Sequence, residues 1–407
     1  MKFLHTADWH LGKMLHKYSL EEDMDLFLEW MYAIIKEDEV DTLLVAGDIF
    51  DISNPAIQDR KRYYKVLSRL STLCENVIIT GGNHDSAGML NAPSELLEAL
   101  NIRVIGGINK DRIEDEIIPI YKNDQVEVII LAVPYLRDRD IKQFTEGLDH
   151  QEKVDATREG IKKHYLDLVK LAKEKYGSVA PIIAMGHLFL KGVSISESER
   201  DISVGNLDAL DHQSLTENID YMALGHIHRH QKVDKAGKIR YSGSPIPLSF
   251  SERKDQKRII LGTVNGGKVE VNSIEVPNNR KLIQVSGTLK EVKEKLEVLA
   301  PGTLLPSLIE IQIVEEHFDP SIPLALSDLK EAHESSPFIL LKERIQYKNS
   351  PTKISELYQR GEDIEDLKPS DVFEKRLEAD ATLEEEDKIL LRSAYQEILD
   401  SLDEING

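Results

Sequence analysis

Five short apolar runs each lead into a polar side chain, four of them through a glycine, and this pattern constrains the fold more than any other feature. Lys2 to Ala7 leads into Asp8, Thr42 to Ala46 into Gly47 and Asp48, and Val77 to Thr80 into Gly81, Gly82 and Asn83. Pro181 to Met185 leads into Gly186 and His187, and Tyr221 to Leu224 into Gly225 and His226. Runs this short are buried strands, and the segments Glu21 to Glu37, Arg60 to Leu73 and Thr157 to Lys175 carry apolar residues at helical spacing between them. Strands alternating with helices predict an α/β domain, in which the loops leaving the carboxyl ends of the strands converge on ligands. A glycine at such an end lets the backbone turn sharply. Arg258 to Val264 and Lys268 to Ile274, separated by Asn265, Gly266 and Gly267, read as a β-hairpin closing this domain.

A chain of 407 residues has room for two or three domains of about 150 residues each. The net charge of -21 argues against a whole-surface grip on nucleic acid or an anionic membrane, so any polyanion must be held locally. The single cysteine, Cys74, excludes an internal disulfide and a thiolate metal cluster, which leaves His and carboxylate as the metal ligands available. Asp8 and His10 interrupt the N-terminus where an export signal would need an unbroken apolar run, and runs such as Val128 to Val133 are far too short to span a bilayer. A cytoplasmic protein is expected.

The stretch Pro277 to Asn279 reads as a linker. It separates residues 1–276 from a smaller α/β unit over 281–348: strand Lys281 to Ser286, helix Leu289 to Leu299, strand Leu308 to Val314, helix Pro323 to Ala332 and strand Phe338 to Tyr347. Residues 351–407 form an acidic tail, with 17 Asp and Glu against 7 Lys and Arg. Gly361 to Pro369 reads as a disordered loop within it. Thr382 and Glu385 make a capping box before a helix whose Leu391, Tyr395, Ile398, Leu402 and Ile405 form one apolar stripe. That stripe packs either on this chain or on a partner's coiled coil.

The chemistry sits in Asp8-Trp9-His10, Gly47-Asp48-Ile49-Phe50-Asp51, Gly82-Asn83-His84-Asp85 and Gly225-His226-Ile227-His228, with His187 alone. In an extended segment, residues two apart point the same way, so Asp8 with His10 and His226 with His228 can each face one point. Asp and Asn oxygens with neutral imidazole nitrogens suit Mn, Fe or Zn. Seven such groups exceed one tetrahedral ion, whereas two ions sharing an Asp would use them all. Taken singly, each residue has an ordinary reading: Asp48 as a helix cap, Asn83 as a turn residue, His187 as a satisfied buried histidine. His5, His16, His150, His164, His212, His230, His317 and His333 lack such a context and keep that ordinary reading.

The ordered set D-x-H, G-D-x-x-D, G-N-H-D, a lone His and G-H-x-H resembles that of the calcineurin-like metallophosphoesterases. More narrowly, DWHLGK at Asp8 to Lys13, GDIFD at Gly47 to Asp51, GGNHDS at Gly81 to Ser86 and GHIH at Gly225 to His228 are similar to the nuclease subunits of bacterial SbcCD complexes. The likeness is strong over residues 1–276 and carries no sharp motif beyond them. It implies a four-layer α/β/β/α sandwich with a smaller α/β capping domain and a C-terminal helical tail. It implies one divalent ion on Asp8, His10, Asp48 and His228, and a second on Asp48, Asn83, His187 and His226, most naturally two Mn2+. Two ions about 3.5–4 Å apart can activate a shared water and neutralise the oxygens of a phosphodiester. His84 is then the candidate catalytic acid or stabiliser of the leaving oxygen, with Asp51 as the group that orients it and Asp85 as the competing carboxylate.

The same likeness implies 3'-to-5' exonuclease action on duplex ends, endonuclease action on single strands and hairpins, and a role in DNA repair and recombination. It also implies an SMC-like ATPase partner of the SbcC type and a dimer of nuclease subunits. No G-x-x-x-x-G-K-[ST] phosphate loop occurs, so ATP chemistry would reside in that partner. The alternatives are another phosphoesterase of the superfamily, acting on nucleotides or phosphoproteins, and a scaffold with a vestigial metal site. For DNA grip, the stretch Arg229 to Arg258 holds nine Lys and Arg against three Asp and Glu, and Arg60, Lys61, Arg62 and Lys65 flank Tyr63 and Tyr64. Each also reads as an ordinary solvated face.

Overall fold

The computed structural model describes residues 1–141, 149–199, 210–212, 215, 217–300, 302–333, 336–348, 370, 373–374, 377–378 and 385–406. Six strands of the first sheet run in the order Lys268–Glu275, Arg258–Asn265, Lys2–Thr6, Thr42–Ala46, Asn76–Thr80 and Ile102–Ile105. The last four are mutually parallel, with the helices Glu21–Glu37 and Ile57–Leu70 as the first two crossovers. A second six-stranded sheet has the order Gln231–Lys232, Ile239–Tyr241, Tyr221–Gly225, Ile182–His187, Gln125–Ala132 and Ile117–Lys122.

Because successive strand residues point to opposite faces, each fully buried strand contributes to two cores. Leu43 and Val45 point outward from the first sheet, onto Phe27, Met31 and Ile35 of one helix and Val66, Leu67 and Leu70 of the next. Phe3, Leu44, Ala46 and Ile78 point inward and share a core with Ile130, Ile183, Met185 and Ala223 of the second sheet. On the far side Ile129, Leu131, Ala184, Met222 and Leu224 pack on Leu168, Val169 and Ala172 of helix His150–Tyr176. The layers therefore run helix, sheet, sheet, helix. The five runs of the sequence pattern do not share one sheet: three belong to the first and two to the second.

The chain divides into two compact units, one of Met1–Gln284 with Ala300–Glu310 and Ser336–Lys342, the other of Val285–Leu299 with Ile311–Ser335 and Glu343–Gly407. A three-stranded sheet orders Leu282–Gly287, Ser307–Glu315 and Phe338–Tyr347. Within the second unit, Val292 and Leu296 of helix Leu289–Glu297 and Ile322, Leu326 and Leu329 of helix Ile322–Ala332 are buried. A final helix spans Glu385–Asn406; Tyr395 stacks on Phe373 with ring centroids 4.1 Å apart, while Leu391 and Ile398 are exposed. The Thr382 cap, the 361–369 loop and the side chains of Leu402 and Ile405 lie outside the described residues. No helix among the described residues is long and apolar enough to cross a membrane.

Candidate metal centre

Strand register sets the first half of the site. Thr6 pairs with Val45 and Ala46 with Thr80, so Asp8, Asp48 and Asn83 leave adjacent strands at one level. In the second sheet Gly225 pairs with His187, which puts His187 beside His226. At Gly225 an added Cβ would lie 1.8 Å from the Ala46 carbonyl oxygen, so only glycine lets the two rims meet. Asp8 and His10 do not converge by strand alternation, as the extended reading expected. Their φ angles are 54° and 47°, that of Asp48 is 47° and that of His226 is 94°. Four non-glycine residues in left-handed backbone at one place cost energy, and such strain gathers where function fixes the geometry.

Asp8, His10, Asp48, His187, His226 and His228 are all buried, and Asn83 is half-buried. Asp8 Oδ1 accepts the His226 N–H at 2.8 Å, whereas Asp8 Oδ2 is buried with no hydrogen-bond partner. His10 Nδ1 stands 3.2 Å from Asp51 Oδ1, an acceptor, and so carries the hydrogen. His228 Nδ1 lies 2.7 Å from Ser198 Oγ and 3.4 Å from Glu252 Oε1, which can only accept, and so carries its hydrogen likewise. The remaining Nε2 atoms of His10 and His228 then face each other, lone pair to lone pair, at 3.2 Å. His187 Nδ1 donates to the Ala46 carbonyl at 3.0 Å, which turns its Nε2 toward Asn83 Oδ1 at 2.9 Å and Asp48 Oδ2 at 3.3 Å. His226 Nδ1 is 3.3 Å from the same Asn83 oxygen.

Acceptors converging on one space with an orphaned carboxylate oxygen call for cations. Asp8, His10 and His228 place ligand atoms within 4.8 Å of one another, as do His10, Asp48 and His84, and Asp8, Asp48 and His187. The electrostatics express the same deficit. Burial pushes the Asp8 carboxyl up to about 7. Burial acts on Asp48 in the same sense, but His187, His10 and His84 hold its carboxyl well below the usual range. Burial opposes a charge on His187, yet Asp48 and Asp8 raise it to about 9. A donor set of carboxylate, amide oxygen and imidazole fits Mn2+, Fe2+ or Zn2+.

His84 lies over this space, its ring edge-on to His10 at 4.7 Å and its Nε2 4.0 Å from Asp48 Oδ2. His84 Nδ1 donates to the backbone carbonyl of Asp51 at 2.6 Å, while the Asp51 carboxylate faces His10 Nδ1 and accepts from Lys13 Nζ at 2.9 Å. Asp85, weighed as a partner for His84, accepts from the backbone N–H groups of Gly82, Ile49 and Phe50 at 2.8–3.0 Å. Its carboxylate ties the Asn83 turn to the Asp48 turn.

Sequence reasoning missed a layer behind His228. Glu252 is fully buried, with Lys257 at 2.5 Å and the Ser198 hydroxyl in contact, and no motif marks it. In the basic stretch from Arg229 to Arg258, Lys232, Lys235, Lys238 and Lys254 are exposed, and the other five cations are engaged within the fold. Arg240 and Lys257 are buried, Arg229 pairs with Asp255 at 3.0 Å, Arg258 pairs with Glu275, and Arg253 donates to the Phe250 carbonyl. Of the second cluster, Tyr63 is buried and Arg62 pairs with Glu21 and Asp25 at 3.0 Å.

Residues 1–230 match the calcineurin-like phosphoesterase family, and residues 278–381 match the type 5 capsule protein repressor C-terminal domain. The chain is 32% identical over 383 residues to the SbcD subunit of the SbcCD nuclease of Escherichia coli K12, covering 93% of this chain and 92% of that protein. The SbcD proteins of Rhodobacter capsulatus and Bacillus subtilis are 32% and 33% identical over 312 and 277 residues. These alignments cover 74% and 66% of this chain, and 76% and 67% of the relatives.

Proposed function

The chain belongs to the calcineurin-like phosphoesterase family and, within it, to the SbcD subunits of SbcCD nucleases, and on that premise we infer how its residues serve a metal-dependent DNA nuclease. Asp8, His10, Asp48 and His228 would hold one divalent ion, and Asp48, Asn83, His187 and His226 a second, with Mn2+ as the proposed native species. When bound, two such ions supply an activated water and neutralise the non-bridging oxygens of a phosphodiester. The convergence of inward-facing imidazole nitrogens on the orphaned Asp8 oxygen carries this reading.

The protein's own groups hold and direct. Asp51 fixes the tautomer of His10, and the Ala46 carbonyl fixes that of His187. With Nδ1 of His84 donating to the Asp51 carbonyl, Nε2 is the nitrogen that exchanges a proton with the leaving 3'-oxygen. The proposed substrates are duplex ends, cut 3' to 5', and single strands and hairpins. The proposed setting is a cytoplasmic complex of paired nuclease subunits with an SbcC-type ATPase. The test is hydrolysis by the purified chain with Mn2+ or EDTA, on end-labelled duplex, a hairpin and an aryl phosphate monoester. Mn2+-dependent cleavage of both DNAs is expected; turnover of the monoester alone would overturn the nuclease reading in favour of a small-substrate phosphoesterase.

A further inference from the structure

We propose that Glu252, locked by Lys257 and linked through Ser198, is the positioning residue that fixes which nitrogen of His228 faces the metal centre. The inference rests on the metal-ligand reading of His228 and extends it to residues of the 194–199 loop and the turn Phe250–Glu252. Ser198 Oγ is 2.7 Å from His228 Nδ1 and also contacts Glu252 Oε1, which can only accept. A hydroxyl has one hydrogen. Donating it to Glu252 leaves Ser198 an acceptor toward His228, so Nδ1 must donate and Nε2 must present its lone pair to the centre.

Glu252 cannot swing away from this task. Its other oxygen accepts from Lys257 Nζ at 2.5 Å, from the Leu248 N–H at 3.1 Å and from Ser244 Oγ at 3.4 Å. Lys257 is itself buried, and its ammonium also donates to the His228 carbonyl at 3.0 Å. The His228 N–H donates to Glu199 Oε1 at 2.9 Å. His228 is thus gripped at its amide, its carbonyl and its rear nitrogen. The ammonium balances the carboxylate, so the grip works through hydrogen-bond direction rather than net charge.

The experiment uses the full chain, Mn2+ alone as probe, and two readouts: calorimetric titration of metal-free protein, and nitrogen NMR of the His228 tautomer. Three variants are compared. Glu252→Gln/Lys257→Met removes both buried charges together, so no ammonium is left unpaired. Ser198→Ala cuts the link while leaving the buried pair intact, and Glu252→Asp tests rescue. The first two variants should weaken one of two Mn2+ sites by about 10–100-fold, spare the other, and mix the His228 tautomers, with partial recovery in Glu252→Asp. A folded Ser198→Ala or double variant with unchanged tautomer and unchanged affinities would overturn the proposal. Wild-type protein that binds no Mn2+ but keeps the Nδ1–H tautomer would overturn the metal reading alone, and the tautomer shift in the variants would still decide the role of Glu252.

Discussion

The two sheets present their halves of the site by different means. On the first sheet Asp8, His10 and Asp48 are aimed by left-handed backbone, with φ between 47° and 54°, and glycine spaces the turns. On the second, His187 and His228 have ordinary backbone and are aimed by what lies behind the ring, the Ala46 carbonyl for one and Ser198 with Glu252 for the other, while His226, with φ 94°, shares the left-handed backbone of the first. Asp8, His10, Asp48 and His226 are set by main-chain geometry that leaves little spare volume. His187 and His228 are set by buried partners that hold a side chain which could otherwise rotate. Backbone-set positions should therefore fail when atoms are added, at Gly82 and at Gly225 alike, and partner-set positions when partners are removed.

The largest test falls where the halves touch. Asp48 Oδ2 lies 3.6 Å from His10 Nε2 and 3.3 Å from His187 Nε2, so it belongs to both proposed ion sites. Asp48→Ala should lower DNA cleavage by about 10^4-fold or more and abolish binding of both Mn2+ ions. Calorimetry that still found two ions would remove Asp48 from its bridging place and make the halves independent centres. Next in size is His84→Gln, which touches neither half's ligand assignment. Cleavage should fall by about 10^2–10^3-fold while Mn2+ affinity holds. If single-turnover rates were unchanged with both ions bound, His84 would have no part in proton transfer.

The contrast also explains what could be read in advance. Strand Thr42–Ala46, helix Glu21–Glu37 and strand Phe338–Tyr347 have the bounds expected from their apolar patterns, because burial of a face is a local property of the chain. The ligand candidates of the first half were legible for the same reason, each standing two to four residues past a strand. Their left-handed turns were not, since Asp and His carry no requirement for positive φ; only the packed rim imposes it. The support behind His228 was also hidden, because Glu252 lies 24 residues further along and reaches it only through folding. Counting charges could not sort the roles within Arg229 to Arg258, where Lys257 and Arg240 serve the interior while Lys232, Lys235, Lys238 and Lys254 are exposed.

A volume test separates the two means of aiming more sharply. At Gly82 an added Cβ would lie 2.1 Å from Asp48 Oδ1 and 2.3 Å from the Asp48 backbone nitrogen, neither of which can withdraw without moving the turn. Gly82→Ala should cost about 3 kcal/mol of stability. Metal binding should drop with it, measured by thermal unfolding with and without Mn2+. At Gly186 the nearest obstacle is the hydroxyl of Tyr165 at 2.4 Å, the far end of a side chain. Gly186→Ala should therefore be milder. Equal losses at both positions would erase the distinction between backbone-set and partner-set positions.

The smallest effect concerns His5, a histidine whose sequence context was ordinary but which bridges the sheets. It is fully buried, its Nδ1 accepts from the Tyr221 hydroxyl at 2.9 Å, and its Nε2 donates to the Leu224 carbonyl at 3.2 Å. Burial pushes its pKa down to about 3, so the neutral ring makes both bonds. Leu224 lies two residues before His226 and His5 three before Asp8, so this tie sets the spacing of the halves rather than the aim of either. His5→Phe keeps the ring but strands a buried hydroxyl and a buried carbonyl, at a cost of about 1–2 kcal/mol. Tyr221→Phe in the same chain should return part of that loss, since the hydroxyl is then no longer left unpaired. If each half is aimed by its own local means, the folded variant should cleave DNA at the wild-type rate despite a lower unfolding temperature. A collapse of cleavage in a fully folded His5→Phe protein would mean that the distance between the sheets governs the site, and the division into two separately aimed halves would fall.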